Sequence, residues 1–342
     1  MVRIGKSNPP LPEREELGLK AVRVHRFGLS HPMRVDEVED PVPGPGELLV
    51  RSKAAAVNPV DLITRIGNSR RAKLLTLPYI PGDNIAGEVV AAGPGAEGFR
   101  AGQRVFGIAF SSYAGLVVAK AAWVGELPEP YGYEEGAALP SPFFTAWNAL
   151  VYTAKAGAGE TVLVHGGAGG VGSAAIQLAR RLGCRVFATV SSRQKADFCK
   201  SAGADETIHY REEDFAGRCL ELTGGRGVDV VVEISAVENF KKDLEAIRAN
   251  GRIVVVGVGI GKELTEASFR VQSLMEKNAA VHGIVFAHLF PRLPELIRRL
   301  MPLLREGKFR MHIDRAFPLE EANEAHAQLQ GGKVLGKVVL RF

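Results

Sequence analysis

The pattern of hydrophobic and polar positions changes near Pro140, which divides the chain into two unlike parts. Before this point, short stretches of alternating apolar and polar residues are separated by Pro and Gly. These stretches are "LKAVRVHRFG", "ELLVRSKAAAVN", "GEVVAAG", "QRVFGIA" and "GLVVAK". Short strands with turn signals between them predict a small β-rich, barrel-like unit.

After Pro140, continuous apolar runs alternate with helical patterns. The predicted strands are "TVLVHG", "RVFATV", "ETIHY", "VDVVVEIS", "RIVVVGVG" and "AAVHGIVF", and the predicted helices cover 170–182, 192–202, 213–222, 238–249 and 264–277. β-branched runs that alternate with helices indicate an α/β fold with a doubly wound parallel sheet covered on both faces. A further helix is predicted over about Leu293–Arg305, and the final "KVVLRF" is predicted to be a strand that rejoins the first unit.

A glycine cluster stands where the first strand of this second part must become a helix. The residues are Gly167-Ala168-Gly169-Gly170-Val171-Gly172, which match GxGxxG. In a dinucleotide-binding turn, the first glycine permits the tight turn, the second lets a pyrophosphate approach the backbone, and the third allows close helix–strand packing. The helix N-terminus then supplies N–H groups for the anion. The alternative is a glycine turn that binds no ligand.

The residues after the next strand bear on which dinucleotide would bind. An Asp or Glu there would hold the ribose 2′-hydroxyl of NAD. Here the candidates are instead hydroxyls and cations, Ser191, Ser192, Arg193 and Lys195. Cations attract a 2′-phosphate, so NADPH is predicted as the cofactor. Tyr210 is a candidate to flank the adenosine. The alternatives are that the two cations only cap a solvated helix and that Tyr210 only ends a strand.

Length, composition and charge narrow the classes of partner. With 342 residues, the chain is expected to form two domains. The net charge of +5 comes from scattered basic residues, so a nucleic-acid partner is not predicted. Because the apolar runs are shorter than the roughly 18–20 residues that span a bilayer, no membrane partner is predicted. Residues 1–18 lack the apolar core of a signal peptide and are interpreted as a loose extension.

The three cysteines and the histidines suggest no further site. Cys184, Cys199 and Cys219 form no CxxC pair, so neither a structural zinc site nor a disulfide framework is predicted. Their pattern fits a reduced, cytoplasmic setting. His165 and His288 have no Ser or Cys partner recognisable in the sequence, so a hydrolase triad is not supported.

Several longer motifs make the chain resemble the zinc-independent quinone oxidoreductase and zeta-crystallin branch of the medium-chain dehydrogenase/reductase superfamily. They include "AAAVNPVDLITRIG", "LPYIPGDNIAGEVVAAGPGAEGFRAGQRVFG", "ALPSPFFTAWNAL", "HGGAGGVGSAAIQLAR" and "GKVLGKVVL". The resemblance implies a GroES-like catalytic domain from 19–143 with 285–342, and a Rossmann NADP-binding domain from 144–284. It also implies an active site in the cleft between the domains and a homodimer joined through the strand in "AVHGIVF".

The same resemblance implies roles for individual residues. Asn58 would donate a hydrogen bond to the nicotinamide or the substrate oxygen, with Asp61 ordering the loop and Thr145 near the nicotinamide. The remaining implied cofactor contacts are Gly257, Val258, Val285, Phe286 and Lys333, with Lys333 reaching the 2′-phosphate. The alternatives are that Asn58 only forms a turn before Pro59 and that Lys333 is a solvated loop lysine.

No metal site is predicted, and this limits the substrate. Zinc-using relatives place Cys near the position of Asn58 and His–Glu after the Pro-Gly that here precedes Asp83-Asn84. Asn and an isolated Asp are poor zinc ligands. Without zinc, the expected acceptor is a small molecule that conjugation activates, a quinone or an α,β-unsaturated carbonyl compound. Candidate pocket residues are Ile63, Phe143, Phe144 and Phe290, together with Phe286, although each could equally belong to the core.

Two departures from the family pattern weaken specific alternatives. Ile63 stands where quinone reductases of this branch often have Tyr, and Ser69 follows Gly67-Asn68 where enoyl-thioester reductases carry a catalytic Tyr. Reduction of acyl thioesters is therefore a weaker expectation, and the quinone interpretation loses one supporting contact at Ile63. The expected function is zinc-free, NADPH-dependent reduction of quinones or activated alkenes. The alternatives are a zinc-free alcohol dehydrogenase or ketone reductase, and a protein that binds NADPH without turnover.

Overall fold

The computed structural model describes residues 19–259 and 266–342. The predicted extension 1–18 and the start of the predicted helix 264–277 lie outside these ranges. The first part of the chain is β-rich, as the sequence predicts. Its elements are β1 Leu19–Arg23, β2 Arg34–Val38, β3 Glu47–Val57, α1 Pro59–Ile66, β4 Asn84–Ala92, β5 Arg104–Ile108, β6 Leu116–Lys120, β7 Val124–Glu126, α2 Tyr133–Ala138 and α3 Pro140–Trp147.

The second part alternates strands and helices. Its elements are β8 Thr161–Val164, α4 Gly170–Arg181, β9 Arg185–Val190, α5 Arg193–Ser201, β10 Glu206–His209, α6 Phe215–Leu222, β11 Val228–Glu233, α7 Ala236–Ala246, β12 Ile247–Val255, α8 Val271–Lys277 and β13 Ala280–Gly283. The strands form a parallel sheet in the order β10-β9-β8-β11-β12-β13. This is the order of a doubly wound dinucleotide-binding sheet, whose ligand crevice opens where the order reverses, here between β8 and β11.

One predicted helix extends too far along the chain. The prediction covers 238–249, but α7 ends at Ala246 and β12 begins at Ile247. The reason is strand pairing, because Ile247 already pairs with Val228 of β11. A register shift between Val228 and Val230 then accommodates the extra residues. The predicted helix over 264–277 is found as α8 from Val271, with residues 266–270 outside a helix.

The chain returns to the β-rich part after the parallel sheet. The closing elements are α9 Leu293–Arg305, β14 Ile313–Pro318, α10 Ala322–Gln330 and β15 Lys337–Arg341. β15 pairs antiparallel with β3, which confirms the prediction that the last strand rejoins the first unit. β3 is the centre of this sheet, since it also pairs with β4 and β6. The sheet order is β14-β15-β3-β4-β5-β7.

The two sheets share one apolar core. It contains Phe106 from β5, Leu139 before α3, Val164 from β8, Leu178 from α4 and Leu300 from α9, each almost fully buried. Because the same cluster holds residues of both parts, the two parts pack against each other through a common apolar core. Across the described ranges, none of the helices is both long enough and apolar enough to span a membrane.

Candidate functional site

The glycine cluster forms a tight turn between β8 and α4. An added Cβ at Gly172 would lie 2.2 Å from the Gly166 carbonyl oxygen, and one at Gly167 would lie 2.8 Å from the Ala188 Cβ. The packing of the turn therefore excludes side chains at both positions. At Gly169 the nearest atom to an added Cβ is the Gly166 carbonyl oxygen, 3.4 Å away. Packing alone therefore does not require glycine at position 169. The close approach of a diphosphate to the protein backbone would require it.

The helix that follows the turn is suited to hold an anion. α4 runs for 12 residues from Gly170, with Gly169 as its N-cap in an extended conformation. The first N–H groups of a helix have no intrahelical partner, and its N-terminus carries a partial positive charge. The strand, turn and helix thus provide the geometry of a diphosphate site.

A buried polar cluster supports the turn from below. His165 lies between Thr189, 3.1 Å from its Nδ1, and Asp243, 2.9 Å from its Nε2. Thr189 Oγ1 in turn accepts the Gly166 N–H at 3.2 Å. Desolvation lowers the pKa of His165 and raises the pKa of Asp243 to about 7 and that of Glu233 to about 8. These shifts favour a neutral imidazole and protonated carboxyls, so the cluster orders the turn through hydrogen bonds.

Cations gather near Lys195, which the sequence predicts as a contact of a 2′-phosphate. Lys195 Nζ donates to the Gly332 carbonyl at 2.8 Å, which places it beside Lys333. Its pKa is lowered by burial and by the nearby Arg211. Arg211 lies over the ring of Tyr210, 6.0 Å from the centroid. The structure thus brings Lys195 close to the Tyr210-Arg211 pair and to the backbone next to Lys333.

The other residues predicted around this phosphate have different surroundings. Ser192 caps α5, and its Oγ accepts the Lys195 N–H at 3.4 Å. Arg193 is exposed and lines a recess between α5 and β10, together with Asp197 and His209. Ser191 is half-buried at the end of β9.

The predicted nicotinamide contacts lie at the carboxyl ends of β12 and β13. Gly257 and Val258 follow β12, and the Gly257 carbonyl accepts the Ala236 N–H at 3.2 Å. Val285 and Phe286 follow β13, with Val285 58% exposed. Adjacent parallel strands present their carboxyl ends at the same edge, so these two segments are neighbours at the ligand edge of the sheet.

Asn58 lies at the end of β3, where it caps α1, and it is almost fully buried. Its Oδ1 accepts a hydrogen bond from the Lys337 ammonium at 2.7 Å. Among the described residues, its side-chain nitrogen has two long contacts, 3.3 Å to the Ala56 carbonyl and 3.4 Å to the side-chain amide of Asn84. The Asn58 amide is thus held at its oxygen and remains able to donate from its nitrogen.

Asp61 connects Asn58 to a buried polar chain. Its Oδ2 accepts the Asn58 backbone N–H at 2.8 Å and the Tyr113 hydroxyl at 3.2 Å. The Tyr113 hydroxyl also lies 3.1 Å from His326 Nε2. Desolvation and the nearby Asp83 raise the pKa of Asp61 to about 7, while desolvation lowers the pKa of His326 to about 3. Asp61 therefore fixes the backbone at Asn58 from inside the protein.

The glycine turn and Asn58 meet at one dipeptide, Gly336-Lys337. The Gly336 N–H donates to the Ala168 carbonyl at 2.7 Å, and the Lys337 ammonium donates to Asn58 and to the Val57 carbonyl. Gly336 has φ +68°, and an added Cβ would lie 2.2 Å from the His312 carbonyl oxygen. We call this connection, formed by the hydrogen bonds of Gly336-Lys337 to Ala168 and Asn58, the seam. It places the predicted diphosphate site and the predicted substrate-binding amide side by side.

Aromatic side chains form an apolar wall beside these residues. Phe290 stacks on Trp123 with 4.7 Å between centroids and meets Phe110 edge-on at 5.6 Å and Phe286 at 5.8 Å. The Ala109 N–H donates to the Asp83 carbonyl. Phe110 and Asn84, which directly follow these two residues, are therefore in neighbouring segments. The wall is the aromatic cluster Phe110, Trp123, Phe286 and Phe290, and it is suited to a flat apolar ligand.

The other predicted pocket residues are placed differently. Phe143 and Phe144 are 1% exposed and belong to the core, where Phe143 packs on Phe309 with 4.9 Å between centroids. Their burial does not support a position on the wall of an open pocket. Ile63 is exposed on α1, and Thr145 is half-buried on α3.

Sequence reasoning missed Lys337, Arg211, Phe110 and Trp123. A lysine that opens the otherwise apolar run "KVVL" was a usable signal, because a lysine in a central strand needs a partner. Arg211 follows the predicted Tyr210 directly. The two aromatic residues join the site only through long-range packing, for which the local pattern gives no signal.

Comparison with known proteins gives matches over nearly the whole chain. The family profile "Alcohol dehydrogenase GroES-like domain" matches residues 44–129, and "Zinc-binding dehydrogenase" matches residues 170–303. A quinone oxidoreductase from Homo sapiens is 33% identical over 94% of this chain and 97% of its own length.

Two solved structures have similar folds. A mycobacterial protein, Rv1454c, solved in complex with NADPH, is 32% identical with a TM-score of 0.84, covering 95% of this chain and 100% of that one. An NAD-dependent alcohol dehydrogenase is 33% identical with a TM-score of 0.83, covering 94% and 99%.

The packing of the turn predicts the effect of one added methyl group. We expect Gly172→Ala to weaken dinucleotide binding at least about tenfold, because the new Cβ overlaps the Gly166 carbonyl and moves the turn. Fluorescence titration with NADPH and NADH measures this. Gly98→Ala is the matched control, since an added Cβ there has no atom within 4 Å. Equal affinities of the two variants would show that the turn does not form the binding site.

Proposed function

The chain belongs to the quinone oxidoreductase branch of the medium-chain dehydrogenase/reductase superfamily, and from this we propose that it reduces quinones or activated alkenes with NADPH and without zinc. The observation that carries the proposal is the seam at Gly336-Lys337, which holds the glycine turn against Asn58. A dinucleotide on the turn and an acceptor at Asn58 would then lie in one cleft, so little motion separates donor from acceptor.

The preference for NADPH rests on the charges around Lys195. Lys195 binds the Gly332 carbonyl, which directly precedes Lys333 in the chain, and Arg211 is a further cation near Lys195. No acidic side chain stands among the residues Ser191-Ser192-Arg193 that follow β9. Charge-assisted hydrogen bonds to these cations offset the hydration free energy that a phosphate ester loses on binding. The unmodified ribose hydroxyl of NADH would gain little binding free energy from the same cations.

The side chains around Asn58 do not fit a catalytic zinc ion. The Lys337 ammonium already occupies the oxygen of Asn58, and Asp83 is paired with the guanidinium of Arg71, one contact being 2.6 Å. A fixed cation beside the amide repels a second one. Within the described ranges, the His, Cys and acidic side chains close enough to share a metal ion are His165, Glu233 and Asp243, which lie under the glycine turn.

Residues of this chain would then perform the remaining tasks of the reaction. When NADPH is bound, its nicotinamide supplies a hydride. Asn58 donates a hydrogen bond to the acceptor oxygen, where negative charge develops as the hydride is transferred. The aromatic cluster of Phe110, Trp123, Phe286 and Phe290 orients a flat acceptor and excludes water from it. A conjugated acceptor spreads the incoming charge, so one neutral donor stabilises the hydroquinone anion or enolate until it takes a proton from water.

The exposed edge of the parallel sheet supports a homodimer. β13 is an edge strand, and Val281 on it is 39% exposed. An uncovered edge with apolar side chains favours pairing with a second copy. The three cysteines are buried free thiols, which suits the reduced conditions of a cytoplasmic protein.

An acceptor screen tests the proposed function. NADPH oxidation is followed by absorbance with quinones, α,β-unsaturated ketones and aldehydes, simple ketones and alcohols. Turnover with conjugated acceptors, unchanged by a chelator, supports the proposal. Turnover restricted to simple ketones or alcohols would identify an alcohol dehydrogenase, and cofactor binding without any turnover would identify a non-catalytic binder.

Charge reversal at Lys195 tests the phosphate assignment. Charge-assisted hydrogen bonds contribute about 1.5–3 kcal/mol, so we expect Lys195→Glu to weaken NADPH binding about 10- to 100-fold. NADH binding should change less than about threefold. Lys241→Glu, at an exposed lysine on α7, is the control and should leave both affinities unchanged. Equal losses of NADPH and NADH affinity would remove the assignment.

Truncation of Asn58 tests the substrate contact. We expect Asn58→Ala to lower kcat about 100-fold, because the developing oxyanion loses its donor. NADPH affinity, measured by fluorescence titration, should stay within about threefold, since the cofactor phosphates are bound elsewhere. An unchanged kcat would make Asn58 a structural cap of α1.

A further inference from the structure

The side chain of Lys337 is buried at a place where an apolar residue would pack at lower cost. Lys337 begins β15 and is 5% exposed. Moving an ammonium ion from water into a protein interior is costly unless it gains hydrogen bonds and a counter-charge. Lys337 gains both, from the Val57 carbonyl, the Asn58 amide and the nearby Asp61 carboxylate. A residue retained at this cost is a candidate for function.

The contact with Asn58 selects one orientation of the amide. An ammonium group can only donate, so it must face the amide oxygen. The Lys337 Nζ to Asn58 Oδ1 distance of 2.7 Å shows a full hydrogen bond. The Asn58 nitrogen is thereby directed away from Lys337, and its contacts within the described residues are long, at 3.3 and 3.4 Å. Lys337 thus determines which end of the amide is free to donate.

The stem of Lys337 also connects Asn58 to the glycine turn. An added Cβ at Gly170 would lie 2.7 Å from Lys337 Cδ, so the stem packs against the first residue of α4. The preceding residue, Gly336, donates its N–H to the Ala168 carbonyl. Lys337 therefore holds the amide at a fixed position relative to the turn that would carry the dinucleotide.

We propose that Lys337 is a positioning residue of the reductase reaction, which locks the Asn58 amide with its NH₂ group turned toward the acceptor oxygen. This inference rests on the proposed function. The positive charge also polarises the amide and makes its N–H groups stronger donors. Lys337 therefore acts through Asn58 and not by direct contact with the acceptor.

If Lys337 acts in this way, its ionisation makes kcat depend on pH. Burial lowers its pKa to about 8, and the carboxylate of Asp61 opposes this shift. Loss of the charge above this pH removes the polarisation, so kcat should fall on the alkaline side with an apparent pKa near 8. The titratable and charged groups around the pair are Asp83, Arg71, Tyr79, Tyr113, Arg65 and His326.

A double-mutant cycle tests the proposal. We expect Lys337→Met to lower kcat about 10- to 100-fold, with NADPH affinity within about threefold and no alkaline limb near pH 8. Lys337→Arg, which keeps the charge and the donor, should recover part of kcat. Combined with Asn58→Ala, Lys337→Met should cause no further loss, because it acts through that amide. Lys241→Met, an exposed lysine on α7, is the control for the lysine-to-methionine change.

Several outcomes would overturn the assignment. Additive losses in the double mutant would show that Lys337 does not act through Asn58. Parallel losses of NADPH affinity and kcat, not recovered by Lys337→Arg, would show that it only maintains the fold.

A measurement without turnover separates this inference from the proposed function. Protein labelled with ¹⁵N-asparagine gives a side-chain NH₂ signal for Asn58, assigned by its loss in Asn58→Ala. We expect this signal to shift in Lys337→Met and not in Lys241→Met. If no acceptor is reduced by the wild type, the proposed function fails, and an unshifted signal would reject the Lys337–Asn58 contact itself.

Discussion

The structure depends on the seam that Gly336-Lys337 makes between its two parts. A backbone hydrogen bond from Gly336 to Ala168 fixes the glycine turn, and the Lys337 ammonium fixes the end of β3 at Asn58. The Gly336 N–H and the Lys337 ammonium both lie at the start of β15. The positions of the glycine turn and of Asn58 are therefore fixed relative to the same strand end. A cleft built this way keeps its geometry only while the C-terminal strand stays paired with β3. The proposed function therefore requires the return of the chain to the first sheet.

Burial accounts for the electrostatics on both sides of this seam. Beneath the turn, desolvation lowers the pKa of His165 and raises the pKa values of Glu233 and Asp243, so burial opposes charge in the cluster that orders the backbone. Beside Asn58, the partners Lys337 and Asp61 partly offset each other's burial. The cations near Gly332 are more exposed, as suits groups that meet a phosphate from solvent. The hydrogen-bonded cluster under the turn and the positive charge near Gly332 are both consistent with the proposed NADPH site.

The sequence predicts most of the fold and only part of the site. The parallel sheet, the glycine turn and the helix Leu293–Arg305 follow from local periodicity and turn chemistry, and the structure has all three. The local pattern gives the wrong element where strand pairing determines the structure. Ile247 belongs to a helical pattern in the sequence, but it pairs with Val228 of β11 and is part of the sheet. The local pattern also fails for contacts between distant segments. Lys337 and Asn58 are 279 positions apart, and the packing that buries Phe143 cannot be distinguished in the sequence from that of a pocket wall.

The proposed function requires that the turn and the cations near Lys195 together bind a 2′-phosphorylated dinucleotide. Calorimetric titration of the wild-type protein with NADPH and with NADH measures this directly, because the two ligands differ only in that phosphate. We expect one site per chain and an affinity for NADPH at least about tenfold higher than that for NADH, which corresponds to about 1.4 kcal/mol. Equal affinities, or no heat with either ligand, would contradict it.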